Sequence, residues 1–329
     1  MTLRWTRRAA LRAAALGAGT TLLPPGAARA QAAFPTRPVR MIVPFAAGGP
    51  TDVIARVVAE ALGDRWKQPV VVENRAGGGT IVGTLAIARA TGDGYTLGIC
   101  TNPFVINPAV KERMPYDTGA DFAAVGMLVT SPFVLVAGNG FGPNTLGELV
   151  ADARRRGEPL AYASPGPGGA GHLAGALLQQ RTGIAMEHVP YNGSAPALTD
   201  VLAGRVPVMF DLWSSVRPHV EAGRLKILAV AGDAPLPDAP QVPTIAATLP
   251  GFVSVAFQGV IAPAATPPAL VEAISSDLRA VTASEGFRRQ VVPLGVDPAP
   301  GTPAAFGAFL KGEMAKWRDV ARAAKIVLD

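Results

Sequence analysis

The chain has 329 residues, of which 49% are hydrophobic and 16% charged, and its formal net charge is +6. Its length leaves room for two globular domains, and its single cysteine excludes an internal disulfide framework. Residues 1–30 contain five arginines and no acids, so the rest of the chain carries a formal charge of +1 (6 − 5). This near-neutral charge removes the main support for a nucleic-acid partner.

The first thirty residues have the pattern of an export signal. MTLRWTRRAALR is a positive start, AAALGAGTTLL is an apolar run too short to span a bilayer, and ARA at 28–30 is a small-x-small cleavage pattern. Arg7 and Arg8 match a twin-arginine signal, and a general secretory signal that contains Arg-Arg is the alternative. We expect cleavage after Ala30 and a soluble periplasmic protein, since no later run is long enough to cross a membrane.

The chain that follows repeats one pattern, in which a short apolar run leads through a Gly-rich turn into a segment of helical periodicity. In chain order the turns AAGGPTD, AGGGT, PGPGGAG and NGS each separate an apolar run from a helical segment. VPVMFDL then precedes SSVRPHVEAG, and LKILAVAG follows. Apolar strands that alternate with amphipathic helices predict parallel sheets covered on both faces.

Two long apolar runs without helical periodicity, at 122–140 and 252–264, are predicted to cross between two such sheets. The C-terminal segments PPALVEAISSDLRAVTA and TPAAFGAFLKGEMAKWRDVARAA are predicted helices that return to the first sheet. We therefore predict an α/β fold with two lobes, each a mainly parallel sheet flanked by helices, joined by two crossing strands. Domain one is placed at 34–131 plus 258–329, and domain two at 132–257.

The turn at 166–171 spells G-x-G-x-x-G, the fingerprint of a dinucleotide-binding turn. Pro167 removes a backbone donor from this turn, and no acidic residue ends a strand about 20 residues later. A Gly-rich turn at a helix N-terminus attracts phosphate and carboxylate alike, because its N–H groups and the helix dipole both favour an anion. The turn thus leaves two interpretations, a carboxylate-binding protein and an exported dinucleotide-dependent oxidoreductase.

Residues for catalysis or metal binding are scarce. His172, His188 and His219 lie on separate elements without an H-E-x-x-H pair, and no G-x-S-x-G elbow is present. Cys100, in the apolar run YTLGIC, is predicted to be a buried apolar residue. We expect no catalytic residue, no metal and no cofactor.

Two aspartates lie at predicted strand-to-helix junctions. Asp52 is either a first-turn acid stabilised by the helix dipole or a ligand contact. Asp211 ends the strand VPVMFD, where the ligand of an open α/β sheet lies, so it would accept from a ligand amino or hydroxyl group or act through water.

Several ordered segments resemble the Bug family of extracytoplasmic solute receptors, which are associated with tripartite tricarboxylate transporters. They include FPTRPVRMIVPFAAGGPTDVIARVVAEAL, QPVVVENRAGGGTIVGT, GDGYTLGI, INPAV and HVPYNGSAPALTDVLAGRVPVMFD. The resemblance covers nearly all of the chain after residue 30. It implies a two-lobed periplasmic-binding-protein fold and a non-catalytic, monomeric receptor. Such a receptor closes around a small organic acid and serves transporter subunits in the membrane.

The same resemblance implies that two strand-to-helix loops, one in each lobe, hold a ligand carboxylate. The candidate ligand contacts are Phe45, Ala46, Ala47, Gly48, Thr51, Asp52, Asn102, Gly166, Gly168, Gly169, Ala170, His172 and Asp211. The second loop departs from the family pattern, because Gly169, Ala170 and Gly171 stand where hydroxyl residues are common.

Apolar residues flank these contacts. Leu212 and Trp213 follow Asp211, and Phe104 follows Asn102. If these side chains face the cleft, they favour an aromatic or partly apolar acid.

Overall fold

The computed structural model describes residues 34–328. The predicted export signal, its twin arginines and its cleavage site all lie outside the described residues. Contacts divide the chain after Thr36, and the description below concerns the unit that begins at Arg37. Strands and helices alternate in this unit in the order that the sequence predicts.

The strands in this unit are short apart from two long ones. They are β1 (Val39–Val43), β2 (Val70–Asn74), β3 (Thr96–Thr101), β4 (Phe122–Gly138), β5 (Leu160–Ser164), β6 (Met186–Pro190), β7 (Val208–Leu212), β8 (Leu225–Val230), β9 (Val255–Pro263) and β10 (Asp297–Pro298).

Most helices follow a strand directly. They are α1 (Pro50–Trp66), α2 (Ile81–Ala88), α3 (Asn102–Val110), α4 (Leu146–Arg156), α5 (Ala170–Thr182), α6 (Ser194–Leu202), α7 (Trp213–Glu221), α8 (Pro268–Thr282), α9 (Glu285–Val291) and α10 (Pro303–Ala324). Short 3₁₀ turns occupy Gly78–Thr80, Ile245–Ala247 and Val292–Leu294.

The strands form two halves that share one order. In the first half β1 pairs in parallel with β2 and β3, β9 pairs antiparallel with β3, and β4 pairs antiparallel with β9. In the second half β5 pairs in parallel with β6 and β7, β4 pairs antiparallel with β7, and β8 pairs antiparallel with β4. The orders are β2-β1-β3-β9-β4 and β6-β5-β7-β4-β8, so β1 and β5 are equivalent central strands.

Strand β4 belongs to both halves. Its residues up to Pro132 pair with β9, and from Phe133 onward it pairs with β7 and β8. Pro132 has no N–H to donate to a ladder, which suits the point where the pairing changes. β4 therefore carries the chain from the first half to the second. Ser254, which bonds to Phe133 and Ala231 of the second half, leads the chain back into β9 of the first half, and this confirms the two predicted crossing segments.

The core follows from the near-continuous apolar character of the central strands. All six residues of β3 are buried, including Cys100, and β4 buries Val134, Leu135 and Val136 completely. Trp317 of α10 is also fully buried, and its indole N–H donates to the Glu313 carboxylate at 2.9 Å. The prediction that Cys100 is a buried apolar residue is confirmed. In residues 34–328, no helix combines the length and the apolarity that crossing a bilayer requires.

Candidate functional site

Most of the predicted ligand contacts lie on two loops, each at the carboxyl end of a central strand. The first loop, residues 44–52, joins β1 to α1, and the second loop, residues 164–172, joins β5 to α5. Ala46, Ala47 and Gly48 are exposed in the first loop, as are Pro167 and Gly169 in the second. Both loops thus present backbone to solvent at the edge where open α/β sheets bind ligands.

The two loops have the same backbone conformation at their glycines. Gly48 has φ +82° and Gly168 has φ +66°, a left-handed conformation that residues other than glycine rarely adopt. The next residues are the N-caps of their helices, with φ −77° and ψ 167° at Gly49 and φ −77° and ψ 168° at Gly169. One loop shape is therefore built twice, 120 residues apart.

A hydrogen bond from the left-handed glycine closes each loop. Gly48 N–H donates to Asp52 Oδ2 at 2.8 Å, and Gly168 N–H donates to His172 Nδ1 at 3.0 Å. Both acceptors lie four residues after the glycine, in the first turn of the helix. Asp52 and His172 are thus equivalent residues with different chemistry.

Asp52 is held on all sides by donors from its own lobe. Besides Gly48, Arg56 Nε donates to Oδ2 at 2.9 Å and Asn74 Nδ2 donates to Oδ1 at 2.9 Å. The hydrogen bond from Arg56, with those from Gly48 and Asn74, lowers the pKa of Asp52 to about 2 although the carboxylate is buried. Asn74 also donates to the carbonyl of Phe45 at 3.1 Å. These contacts make Asp52 an ionised organiser of the first loop.

His172 is held by aromatic neighbours. Its ring stacks on His188 of β6 with centroids 3.7 Å apart and an interplanar angle of 8°, and its carbonyl accepts from the Tyr162 hydroxyl at 3.0 Å. Burial lowers the pKa of His172 below its ordinary value. Burial and the charge of His172 lower the pKa of His188 to about 4. Both imidazoles are therefore neutral at neutral pH.

Each helix start leaves backbone donors for a ligand. In α1 the first intrahelical bond runs from Val53 N–H to the Gly49 carbonyl, and in α5 it runs from Leu173 N–H to the Gly169 carbonyl, both at 3.0 Å. Between these residues α1 has two N–H groups, because Pro50 has none, and α5 has three, and none of them has a partner within its helix. With the positive end of the helix dipole, they make each loop suitable for binding a carboxylate.

Asp211 lies beside the second loop, at the carboxyl end of β7. It is 1% exposed, its Oδ1 accepts from Leu212 N–H at 2.8 Å, and its Oδ2 has no hydrogen-bond partner among the described residues. Burial raises the pKa of Asp211 to about 6, although the nearby Ser194 side chain and the hydrogen bond from Leu212 N–H oppose this shift. A buried carboxylate oxygen without a donor suits a ligand that brings one.

Asn102 and the apolar residues near it are placed differently. Asn102 donates to the Val255 carbonyl at 2.8 Å and accepts from Phe257 N–H at 3.2 Å, so its amide joins α3 to β9. Phe104 and Trp213 are 2% and 7% exposed and belong to the apolar cores. Because these two rings are used in core packing, they do not support the expected preference for an aromatic or partly apolar acid, and Leu212, which is half-buried, is the remaining apolar candidate.

The spacing of the G-x-G-x-x-G turn has a packing explanation. The last glycine, Gly171, lies so close to β7 that an added Cβ would be 2.7 Å from the Phe210 carbonyl oxygen. Helix-to-strand packing of this kind is also the role of the third glycine in dinucleotide-binding turns, so the same spacing can arise without a dinucleotide.

Replacing Gly171 with alanine should therefore lower the stability of the fold. We expect a loss of about 1–3 kcal/mol in the free energy of unfolding, since backbone cannot move aside as a side chain can. Gly169→Ala is the matched control, because its Cβ would be 3.4 Å from the nearest atom, and it should cost less than about 1 kcal/mol. Urea denaturation of both variants would measure the difference, and equal losses would contradict the packing explanation.

The predicted ligand contacts did not include the residues that hold the two loops in place. Asn74 and Arg56 hold Asp52, and His188 and Ser164 support the second loop from β6 and β5. Asn74 and His188 lie in strands next to the loop-bearing strands, so only the strand pairing reveals their role. Within residues 34–328, no group of three or more His, Cys, Asp or Glu side chains is arranged to hold a metal ion.

Comparison with known proteins identifies the family. A family model described as "Tripartite tricarboxylate transporter family receptor" matches residues 54–326. Protein BugT of Bordetella pertussis is 35% identical over 292 residues, which cover 88% of this chain and 90% of BugT.

Two solved structures resemble this chain in both sequence and fold. The structure of R. palustris Rpa4515 with adipate has 33% identity and a TM-score of 0.72, and the match covers 89% of this chain and 99% of that one. MatC (Rpa3494) from Rhodopseudomonas palustris with bound malate has 29% identity and a TM-score of 0.69, with coverage of 87% and 99%. The matches are to solute-binding receptors rather than enzymes, and they confirm the two-lobed α/β fold. The chain therefore belongs to the receptor family of the tripartite tricarboxylate transporters, which includes the Bug proteins that its sequence resembles.

Proposed function

We propose that this protein is a periplasmic receptor that captures a small organic acid between its two loops and delivers it to a tripartite tricarboxylate transporter. The observation that carries the proposal is the duplicated loop, since two helix N-termini of the same shape offer two backbone cradles for anionic groups. Adipate and malate in the two related structures support a carboxylate as the ligand.

The thirteen predicted contacts enter this proposal with different roles. Asp52 shapes the first loop, His172 shapes the second, and Asn102 fixes α3 to β9. Direct contacts are assigned to the backbone of the two loops. Asp211 would accept from a hydroxyl or amino group of the ligand, directly or through water.

Movement of the lobes belongs to the same proposal. We place the domain boundaries at 131/132 and 257/258, and the change of β4 pairing between Pro132 and Phe133 supports the first of them. Closure about β4 and β9 would bring both loops onto one ligand and exclude water from it. We further propose that the receptor is exported by the twin-arginine route and acts as a monomer.

A ligand screen tests the function. Mono-, di- and tricarboxylates, including adipate and malate, should contain at least one acid that raises the melting temperature by about 5 °C at a concentration near 100 times its dissociation constant. Solution scattering should show a smaller radius of gyration with the same acid. Stabilisation by NAD or NADP, with no response to any acid, would support the oxidoreductase alternative instead.

A further inference from the structure

The two equivalent acceptors, Asp52 and His172, differ in how they respond to pH. A carboxylate whose pKa is about 2 remains an acceptor at any pH the periplasm experiences. An imidazole accepts at Nδ1 only while that nitrogen carries no proton. The hydrogen bond from Gly168 N–H to His172 Nδ1 therefore requires a neutral ring, whereas its counterpart at Gly48 has no such condition.

The neighbouring strand supports the acceptor in both halves, again with different chemistry. β2 supplies Asn74, whose amide donates to Asp52, and β6 supplies His188, whose ring stacks on His172. The Nε2 atom of His188 lies 2.7 Å from the Ser164 hydroxyl, and that hydroxyl donates to the Gly166 carbonyl at 3.1 Å. The stacked histidines thus hold both ends of the Gly166–Gly168 segment.

Among residues 34–328, no carboxylate forms an ion pair with His172 or His188. From β5 the titratable neighbour of His172 is Tyr162, with ring centroids 6.5 Å apart, and from β6 it is His188. β7 contributes a backbone carbonyl next to Gly171 and the buried carboxyl group of Asp211, which forms no hydrogen bond with either imidazole ring. α10, which also packs on α5, carries Glu313 and Lys316 as an ion pair. Burial disfavours the first proton on either ring, and a second proton would set two like charges at stacking distance.

We propose that His172 is the positioning residue of the second loop and that it fixes Gly168 only while its ring is neutral, so that ligand capture weakens as the medium becomes acidic. The effect on capture rests on the proposed function, whereas the effect on the loop does not. Protonation would set two donors against each other at Gly168. The loop would then leave the shape that places the N–H groups of α5 around an anion.

The sign of the pH effect follows from the lowered pKa. Because the folded protein binds a proton at His172 less readily than the unfolded chain, the loop interaction is complete above the ordinary value of 6.5. It is lost as the pH falls from there toward the lowered value. A histidine that bound the ligand as a cation would show the opposite trend.

The Gly168 amide can be observed without any ligand. Labelling proline carbonyls with ¹³C and glycine nitrogen with ¹⁵N selects Pro–Gly amides in NMR spectra, and these include Gly166 and Gly168. The variants are His172→Ala, which has no acceptor, and His172→Asn, whose amide oxygen can replace Nδ1 and does not titrate. Melting temperatures would show that both variants fold.

We expect the wild-type Gly168 amide to be protected from exchange at about pH 8 and to lose about tenfold in protection factor by about pH 5. The asparagine variant should stay protected throughout, and the alanine variant should be unprotected throughout. Equal protection in the wild type and the alanine variant, or wild-type protection that does not change with pH, would overturn the assignment.

Binding of adipate and malate to the same three proteins tests the consequence for capture. The affinity of the wild type, relative to His172→Asn at each pH, should fall about tenfold between about pH 8 and about pH 5. This ratio removes the titration of the acid itself. A rise on acidification would show that His172 binds the acid as a cation and would overturn the proposal. If no acid of the wider carboxylate screen bound while the amide results held, the positioning role would stand and the proposed ligand class would fail.

Discussion

Replacing Gly169 with aspartate should abolish carboxylate binding while leaving the fold intact. Gly169 is an exposed N-cap with extended backbone, and its Cβ would make only an ordinary contact with the Gly166 carbonyl. Aspartate is a preferred N-cap, so α5 should be as stable as before. Its carboxylate would occupy the donors that the ligand needs and would repel a second anion by about 4 kcal/mol at 4 Å. We expect affinity to fall at least about 100-fold by calorimetry.

Two controls separate charge from occupancy. Gly169→Asn places a neutral oxygen in the same position and should weaken binding less than Gly169→Asp. Ser284→Asp adds the same charge at the N-cap of α9, where Ser284 already accepts from Phe287 N–H, and should leave affinity unchanged. Gly49→Asp makes the corresponding change in the first loop and should have an equally large effect. Wild-type affinity in Gly169→Asp would exclude the second loop from the site.

Replacing Asp211 with asparagine should make the protein more stable at neutral pH and a poorer receptor. Burial raises the pKa of Asp211 to about 6 from an ordinary 3.8, so the ionised carboxylate destabilises the fold above that range. The stability that the wild type loses as the pH rises from 3.8 through 6 corresponds to about 3 kcal/mol. Denaturation at about pH 7 should show a gain of that order for Asp211→Asn, and the gain should vanish at the acid end of this window.

Asp52→Asn should change the stability of the fold at neutral pH in the opposite direction. The lowered pKa of Asp52 stabilises the fold above 3.8, and this contribution disappears as the pH falls toward 2. The Asp52→Asn protein should therefore be less stable than the wild type at neutral pH. A loss of stability in Asp211→Asn at neutral pH would show that the buried Oδ2 atom is compensated, contrary to our expectation.

Ligand chemistry gives Asp211 a second test. Malate carries a hydroxyl group that can donate to Asp211, whereas adipate has only its two carboxylates. If both bind, Asp211→Asn should weaken malate by about tenfold and change adipate less. Equal losses for both acids would argue against a directional contact from Asp211.

The succession of strands and helices was predictable because each apolar run is followed by a Gly-rich turn and helical periodicity. The equivalence of the two loops was harder to see, since AAGGPTD and GPGGAGH share only the glycine pair and end in different acceptors. The backbone angles at the paired glycines show the equivalence directly. The glycine pair determines the loop shape, but the repeat is not evident in the sequence because the acceptor is aspartate in one loop and histidine in the other.

Other features depend on which residues meet across strands. His188 supports His172 only because β6 pairs with β5, and the pairing of these two strands cannot be predicted from one sequence. Trp213 follows a site residue in the chain, yet its ring enters the core of the second half because α7 turns it inward. Adjacency in sequence thus predicted where strands lead into helices, but it did not predict the direction in which the Trp213 side chain points.

The burial of the chain's one thiol makes the two loops accessible to measurement. Cys100 lies in β3 opposite Gly259 of β9, 2% exposed, and burial raises the pKa of its thiol. A thiol that is neither exposed nor ionised reacts slowly with alkylating probes. Cysteines introduced at the exposed residues Ala47 and Pro167 would carry a pair of spin labels, one on each loop, with little background from the native residue. The distance between these labels, measured in solution with and without an added acid, would test the proposed closure directly.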